Sequence, residues 1–178
     1  MNIHPIIVHF PIALLSFYSL LEFVRYKRMT SQKGWFFLKA FFVVMGTLGA
    51  YVALFSGEPA EHLYVQANPS MRDIVEVHSL WAGVTASIYS LISLIYLVQV
   101  LRRKGYEHVI KNISKVGILW MLVTRVTDLL NNKTILTILA LCGLGAVIVT
   151  GSLGGFLVYG IEGAKTDPFI YFAYKMFY

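Results

Sequence analysis

Charge and cysteine are both scarce in this chain. Only 13% of its 178 residues are Asp, Glu, Lys or Arg, about half the share carried by a soluble domain. A water-exposed surface of ordinary composition is therefore excluded. The single cysteine, Cys142, lies in an apolar run and can form neither an internal disulfide nor a cysteine-based metal site. The first residues lack a basic n-region and a small-residue cleavage site, so the first apolar segment is expected to remain uncleaved. The net charge of +6 comes from cations gathered at the ends of apolar runs. Topology determinants have that pattern, and no nucleic-acid partner is implied.

What the chain has in abundance is apolar length. Hydrophobic residues make up 57% of it and the mean hydropathy is +0.68. A bilayer-spanning helix takes about 20 residues, and four blocks reach that length, at about 5–25, 35–56, 73–101 and 134–159. The expected architecture is all-α: one membrane domain over 1–178, a bundle of four transmembrane helices in a lipid bilayer. The loops differ in charge. Arg25, Lys27, Arg28 and Lys33 follow the first span, and Arg102, Arg103, Lys104, Lys111 and Lys115 follow the third. Glu58, Glu61, Asp73 and Glu76 lie between the second and third, with Arg72 the only cation there. The positive-inside rule puts both basic loops in the cytoplasm, with both termini on the outer face of the cell (inner) membrane.

Residues 113–130 are also apolar but are interrupted by Lys115, Arg125 and Asp128. They read as a helix lying in the cytoplasmic interface; a fifth span, the alternative, would invert the C-terminus. Lys39 is expected to snorkel to the cytoplasmic surface, and Glu22 to pair along the helix with Arg25. The aromatic tail from Pro168 to Tyr178 suits either the headgroup level or a partner subunit.

The opening residues, His4-Pro5-Ile6-Ile7-Val8-His9-Phe10-Pro11, place two imidazoles and two prolines at the head of an apolar run. An ionisable residue inside a membrane segment is a functional candidate by default. With this topology His4, His9, His62 and His78 fall in one outer layer, whereas His108 is cytoplasmic and solvated. At 1.5 Å per residue, His9 lies about 6 Å below a helix starting at Pro5, and His78 about 7 Å below one starting at Asp73. Two imidazoles at one depth on different helices can ligate one centre. His4 and His9 are separated by about 140° around a helix, so one face cannot present both to a small ion. Pro5 is tolerated in the first turn, and Pro11 frees a carbonyl beside His9 and should bend the helix there.

Glycines accumulate at the same level: Gly46 and Gly49 in the second span, Gly83 in the third, and Gly151, Gly154, Gly155 and Gly160 in the fourth. Small residues allow close helix approach, and they also leave room for a flat macrocycle. Glu61 or Glu76 could orient a ligating imidazole from behind.

These residues carry a resemblance. The opening motif through Leu15, the block Ser56-Gly57-Glu58-Pro59-Ala60-Glu61-His62, the Glu76-Val77-His78 element and the stretch Gly151-Ser152-Leu153-Gly154-Gly155-Phe156-Leu157-Val158-Tyr159 resemble, in order, the blocks of a family of predicted bacterial membrane proteins. It is catalogued as domain of unknown function 2231. Phe156 stands where the family often has an acidic or polar residue, and Gly160-Ile161-Glu162 where it often has a basic residue and another histidine. The resemblance implies a four-helix membrane fold. Relatives fused to or found near cytochrome c modules imply redox work.

Three functional expectations follow. The first is an electron-transfer subunit holding haem b, with His9 and His78 as axial ligands to the iron. Gly49, Gly83 and Gly151 would make room for the ring, beside Gly154 and Gly155. Glu61, His62 and His4 would contact propionates or build a second site. Such a subunit would work between quinone and a cytochrome c-like carrier or other complex subunits, as an accessory rather than an independent enzyme. The second is a zinc, copper or iron ion held by His4, His9, His62 or His78 with Glu61. The third is a cofactor-free structural subunit of a larger membrane complex.

Overall fold

A computed structural model describes residues 4–24 and 26–177. Among them the only regular elements are helices: α1 (His4–Phe23), α2 (Lys27–Thr30), α3 (Lys33–Ala67), α4 (Arg72–Arg103), α5 (Glu107–Lys111), α6 (Ser114–Leu130), α7 (Lys133–Thr166) and α8 (Pro168–Lys175), with a 3-10 turn at Pro69–Met71. Four of these helices, α1, α3, α4 and α7, are long and apolar enough to cross a membrane. They pack in a ring, with α1 against α3, α3 against α4, α4 against α7 and α7 against α1. Thus α1 and α4 are diagonal partners.

Helices surrounded by lipid gain little from hydrophobic burial against one another, and fit and interhelical polar contacts decide instead. The interior shows both. Tyr18, Tyr89 and Tyr96 are buried, with Tyr18 meeting each of the other two rings edge-on. The Tyr89 hydroxyl lies 2.7 Å from Ser19 Oγ, across the diagonal. Thr47 Oγ1 and Ser93 Oγ meet at 2.8 Å between α3 and α4. Where Tyr89 crosses α7 only glycine fits: a Cβ at position 143 would lie 2.7 Å from Tyr89 Cζ. The outer surface of the bundle is apolar too, with Phe10, Phe17, Phe41, Leu48 and Phe55 exposed.

Several boundaries depart from expectation. Helix α3 does not end near Ser56 but runs on to Ala67, with Pro59 inside it, so Glu58, Glu61 and His62 are helical rather than in a loop. Helix α7 breaks at Gly160, whose φ of 58° and ψ of −150° fall in a region essentially confined to glycine. The chain then folds back. Asp167 caps α8 by accepting from Phe169 N at 2.8 Å and Ile170 N at 3.2 Å. Ile170 and Ala173 bury against Leu153 and Phe156 of α7. The aromatic tail is therefore docked on its own bundle, and leaves Phe169, Tyr171 and Phe172 exposed.

Helix α6, with 17 residues, is not among the described helices long and apolar enough to cross a membrane. Its apolar side chains Ile118, Leu119, Leu122 and Leu129 are exposed, and Asp128 ties it to α4 through two bonds from Arg102, at 2.5 and 3.0 Å. Tyr64 of α3 donates to the Leu157 carbonyl at 2.8 Å. The far half of α7 therefore lies at the end of the bundle where α1 begins. A fifth span would have reversed α7, and the described chain has both of its ends at the histidine end.

Candidate functional site

The histidine end is organised by His4 and His78, which project from diagonal helices. His4 Nδ1 lies 3.0 Å from Ser56 Oγ of α3, and the ring rests against Gly57, where a Cβ would come within 3.1 Å of Cε1. His78 Nδ1 lies 3.1 Å from the Thr150 carbonyl of α7, and its ring rests in the same way against Gly154. Each imidazole is thus held through Nδ1 by a neighbouring helix and accommodated by a glycine on that helix. The two rings are within electrostatic reach of each other. Thr150 extends the network, its hydroxyl lying 3.2 Å from that of Thr85.

His9 differs from expectation. It is exposed, and its Nδ1 lies 2.5 Å from the Pro5 carbonyl one turn back. The 140° separation does put His4 and His9 on different faces, and His4 is the one that faces the bundle. Glu61 is half-buried on α3, and His62 and Glu76 are exposed; Glu76 pairs with Arg72 at 3.2 Å. Among the described residues no three His, Cys, Asp or Glu side chains come together as a metal-ion site. His108 is exposed, beside Asn112.

The glycines divide by role. Gly154 makes room for His78. Gly49 admits Phe10, whose Cδ1 would lie 2.9 Å from an added Cβ, and Gly155 faces Ile170 of α8. A Cβ at Gly83 or Gly151 would meet nothing within 4 Å, and Gly83 lines a shallow groove with Leu80 and Val84.

The opposite, basic end holds a site that the sequence reading missed. Glu22 is 1% exposed, and three donors converge on its Oε1: Tyr18 OH at 2.9 Å, Tyr96 OH at 2.6 Å and Lys39 Nζ at 2.9 Å. Lys39 does not snorkel to the surface, because a carboxylate on the neighbouring helix neutralises it in place. The expected pairing of Glu22 with Arg25 lies outside the described residues. A buried ion pair is held by its extra hydrogen bonds, and removing one partner costs about 3–5 kcal/mol. The available signal was positional: Tyr18 and Glu22 are one turn apart on α1, and Lys39 sits one turn into the next span at the same end.

A helical bundle with four membrane-crossing helices and polar groups buried at both ends defines an integral membrane protein. A family model described as predicted membrane protein (DUF2231) matches residues 1–167, and the chain belongs to that family. No curated protein and no solved structure matches it.

Proposed function

We propose that the histidine end is a ligation site and that the chain is a membrane-embedded, haem-binding electron-transfer subunit whose haem would be held by His4 and His78. The observation that supports this reading is the matched anchoring of the two imidazoles. Metal-ligating histidines almost always commit their second ring nitrogen to a carbonyl, carboxylate or water. Here Nδ1 of His78 is committed to the Thr150 carbonyl and Nδ1 of His4 to the Ser56 hydroxyl, with the Ala53 carbonyl also beside His4. A haem takes two protein ligands, whereas a small structural ion takes about four. The pairing of two histidines on diagonal helices suits the former.

A haem held there would supply single-electron transfer. The chain's own part is to fix the rings: Ser56 and Thr150 set their rotation, and Gly57 and Gly154 set their depth. The protein would pass electrons between the quinone pool and a carrier at the histidine end, which the positive-inside rule assigns to the outer face of the inner membrane.

The test is a reduced-minus-oxidised absorption spectrum of detergent-purified protein with iron analysis. A b-type spectrum with stoichiometric iron is expected, lost in His4→Ala and His78→Ala and kept in His9→Ala. No Soret absorbance and no iron would overturn the proposal. Bound zinc or copper would then point to a small-ion site, and a metal-free protein to a structural subunit.

A further inference from the structure

At the basic end, a cavity of about 470 Å³ opens beside the Glu22 cluster. Its size is that of a small-molecule site. Its lining includes three cations, Lys39, Arg103 and Lys133, against one carboxylate, Glu22. Lys39 is already paired with that carboxylate. Among the described residues neither Arg103 nor Lys133 has an acidic partner. The Arg103 guanidinium lies over the Phe36 ring, 4.0 Å from its centroid. Stacking of this kind fixes the plane of the fork and leaves its edge for bidentate recognition of an oxyanion. Gln32, Gln99 and Asn131 add amide donors, and Trp35, Phe36 and Tyr96 give the cavity an aromatic wall. The two helices that begin at its rim, α3 and α7, have no acidic residue in their first turns, so their positive ends add to the same potential.

We propose that this cavity binds a phosphate ester, with the phosphate held by Arg103 and Lys133 and the organic portion lying against Trp35 and Tyr96. Glu22 and Lys39 form the floor, where their mutual neutralisation keeps the carboxylate from repelling the anion. Two sources share this chemistry: the headgroup of an acidic phospholipid in the adjoining leaflet, and a water-soluble phosphate ester. The proposal is independent of haem ligation at the other end, and the His78→Ala protein is expected to keep the binding.

Trp35 can report it. In a Trp81→Phe/Trp120→Phe background it is the only tryptophan left of three. The detergent-purified protein would be titrated with dihexanoyl phosphatidylglycerol, dihexanoyl phosphatidylcholine and glycerol 3-phosphate while Trp35 emission is followed. A saturable change with phosphatidylglycerol but not phosphatidylcholine is expected. Arg103→Gln and Lys133→Gln should each weaken it roughly 10- to 100-fold, the equivalent of one charge-assisted hydrogen bond. Arg28→Gln, at the same end but outside the cavity, should not. Binding of glycerol 3-phosphate as well would identify the soluble source, and its failure the lipid. No saturable response to either phosphate, equal affinity for phosphatidylcholine, or unchanged affinity in both cavity variants would overturn the proposal.

Discussion

Removing Lys39 should destabilise the protein more than removing both Lys39 and Glu22. In Lys39→Met the Glu22 carboxylate stays buried among Tyr18, Tyr96 and the core with its cation gone. Breaking a buried pair costs about 3–5 kcal/mol. The Lys39 side chain is 15% exposed, so solvent already screens part of the interaction and the lower end, about 3 kcal/mol, applies. At about 2–4 °C per kcal/mol for a chain of this length, the midpoint should fall by roughly 6–12 °C. In Glu22→Gln/Lys39→Met no charge is left, and the amide oxygen still accepts from both tyrosines. That double variant should lose only about 1–2 kcal/mol, since uncharged replacements of a buried pair are often nearly neutral. The assay is thermal unfolding in detergent, run as a double-mutant cycle with Glu22→Gln. A midpoint shift below 2 °C in Lys39→Met, or strictly additive losses, would refute the reasoning.

Other expectations are simpler. Gly143→Ala should cost about 1–3 kcal/mol by forcing Tyr89 aside, while Gly145→Ala, which meets nothing within 4 Å, should melt at or slightly above the parent, since alanine is the better helix former. Gly160→Ala, at φ 58°, should cost about 1–3 kcal/mol and loosen the docked tail, read as faster hydrogen exchange over 168–175 with α1 unchanged. The Lys111 ammonium, 2.8 Å from Glu107, holds that carboxyl below its ordinary range. A depressed folded value stabilises α5 above the unfolded carboxyl value of about 4.3 and loses that contribution as pH falls through the folded value. The protection factor over 107–111, which divides out the intrinsic pH dependence of exchange, should therefore fall in acid and level off above about pH 5, and Lys111→Met should weaken that dependence, with Arg102 still facing Glu107.

Depth along the bundle was legible in the residues, and rotation about each helix was not. The four spans, the shared end of their basic loops and the separate character of 114–130 follow from apolar length and charge placement. A span facing lipid on one side and packed helices on the other is apolar all round, so little in its pattern says which face turns inward. Hence the 140° arithmetic separated His4 from His9 but did not say which would meet the bundle. Lys39 and Glu22 illustrate the same limit, because each reads as a surface residue until α1 and α3 are rotated to face each other. The extension of α3 through Pro59 was hidden by acidic residues that look like a loop. The fold-back after Gly160 depends on a backbone conformation that a tyrosine–glycine step does not announce.

The length of α3 has a bearing on access. Its 35 residues rise about 52 Å, against a hydrocarbon layer about 30 Å thick, so roughly 20 Å of rod must overhang. With the hydrocarbon beginning at Trp35, as the apolar run does, about 20 residues of helix bring its far edge to Phe55, next to the Ser56 and Gly57 that cradle His4. The histidine layer then lies at the waterline, with the last three turns of α3 standing over it like a mooring post. The overhang places the polar end of α3 in water, so that the layer beside it is reached without entering the oil.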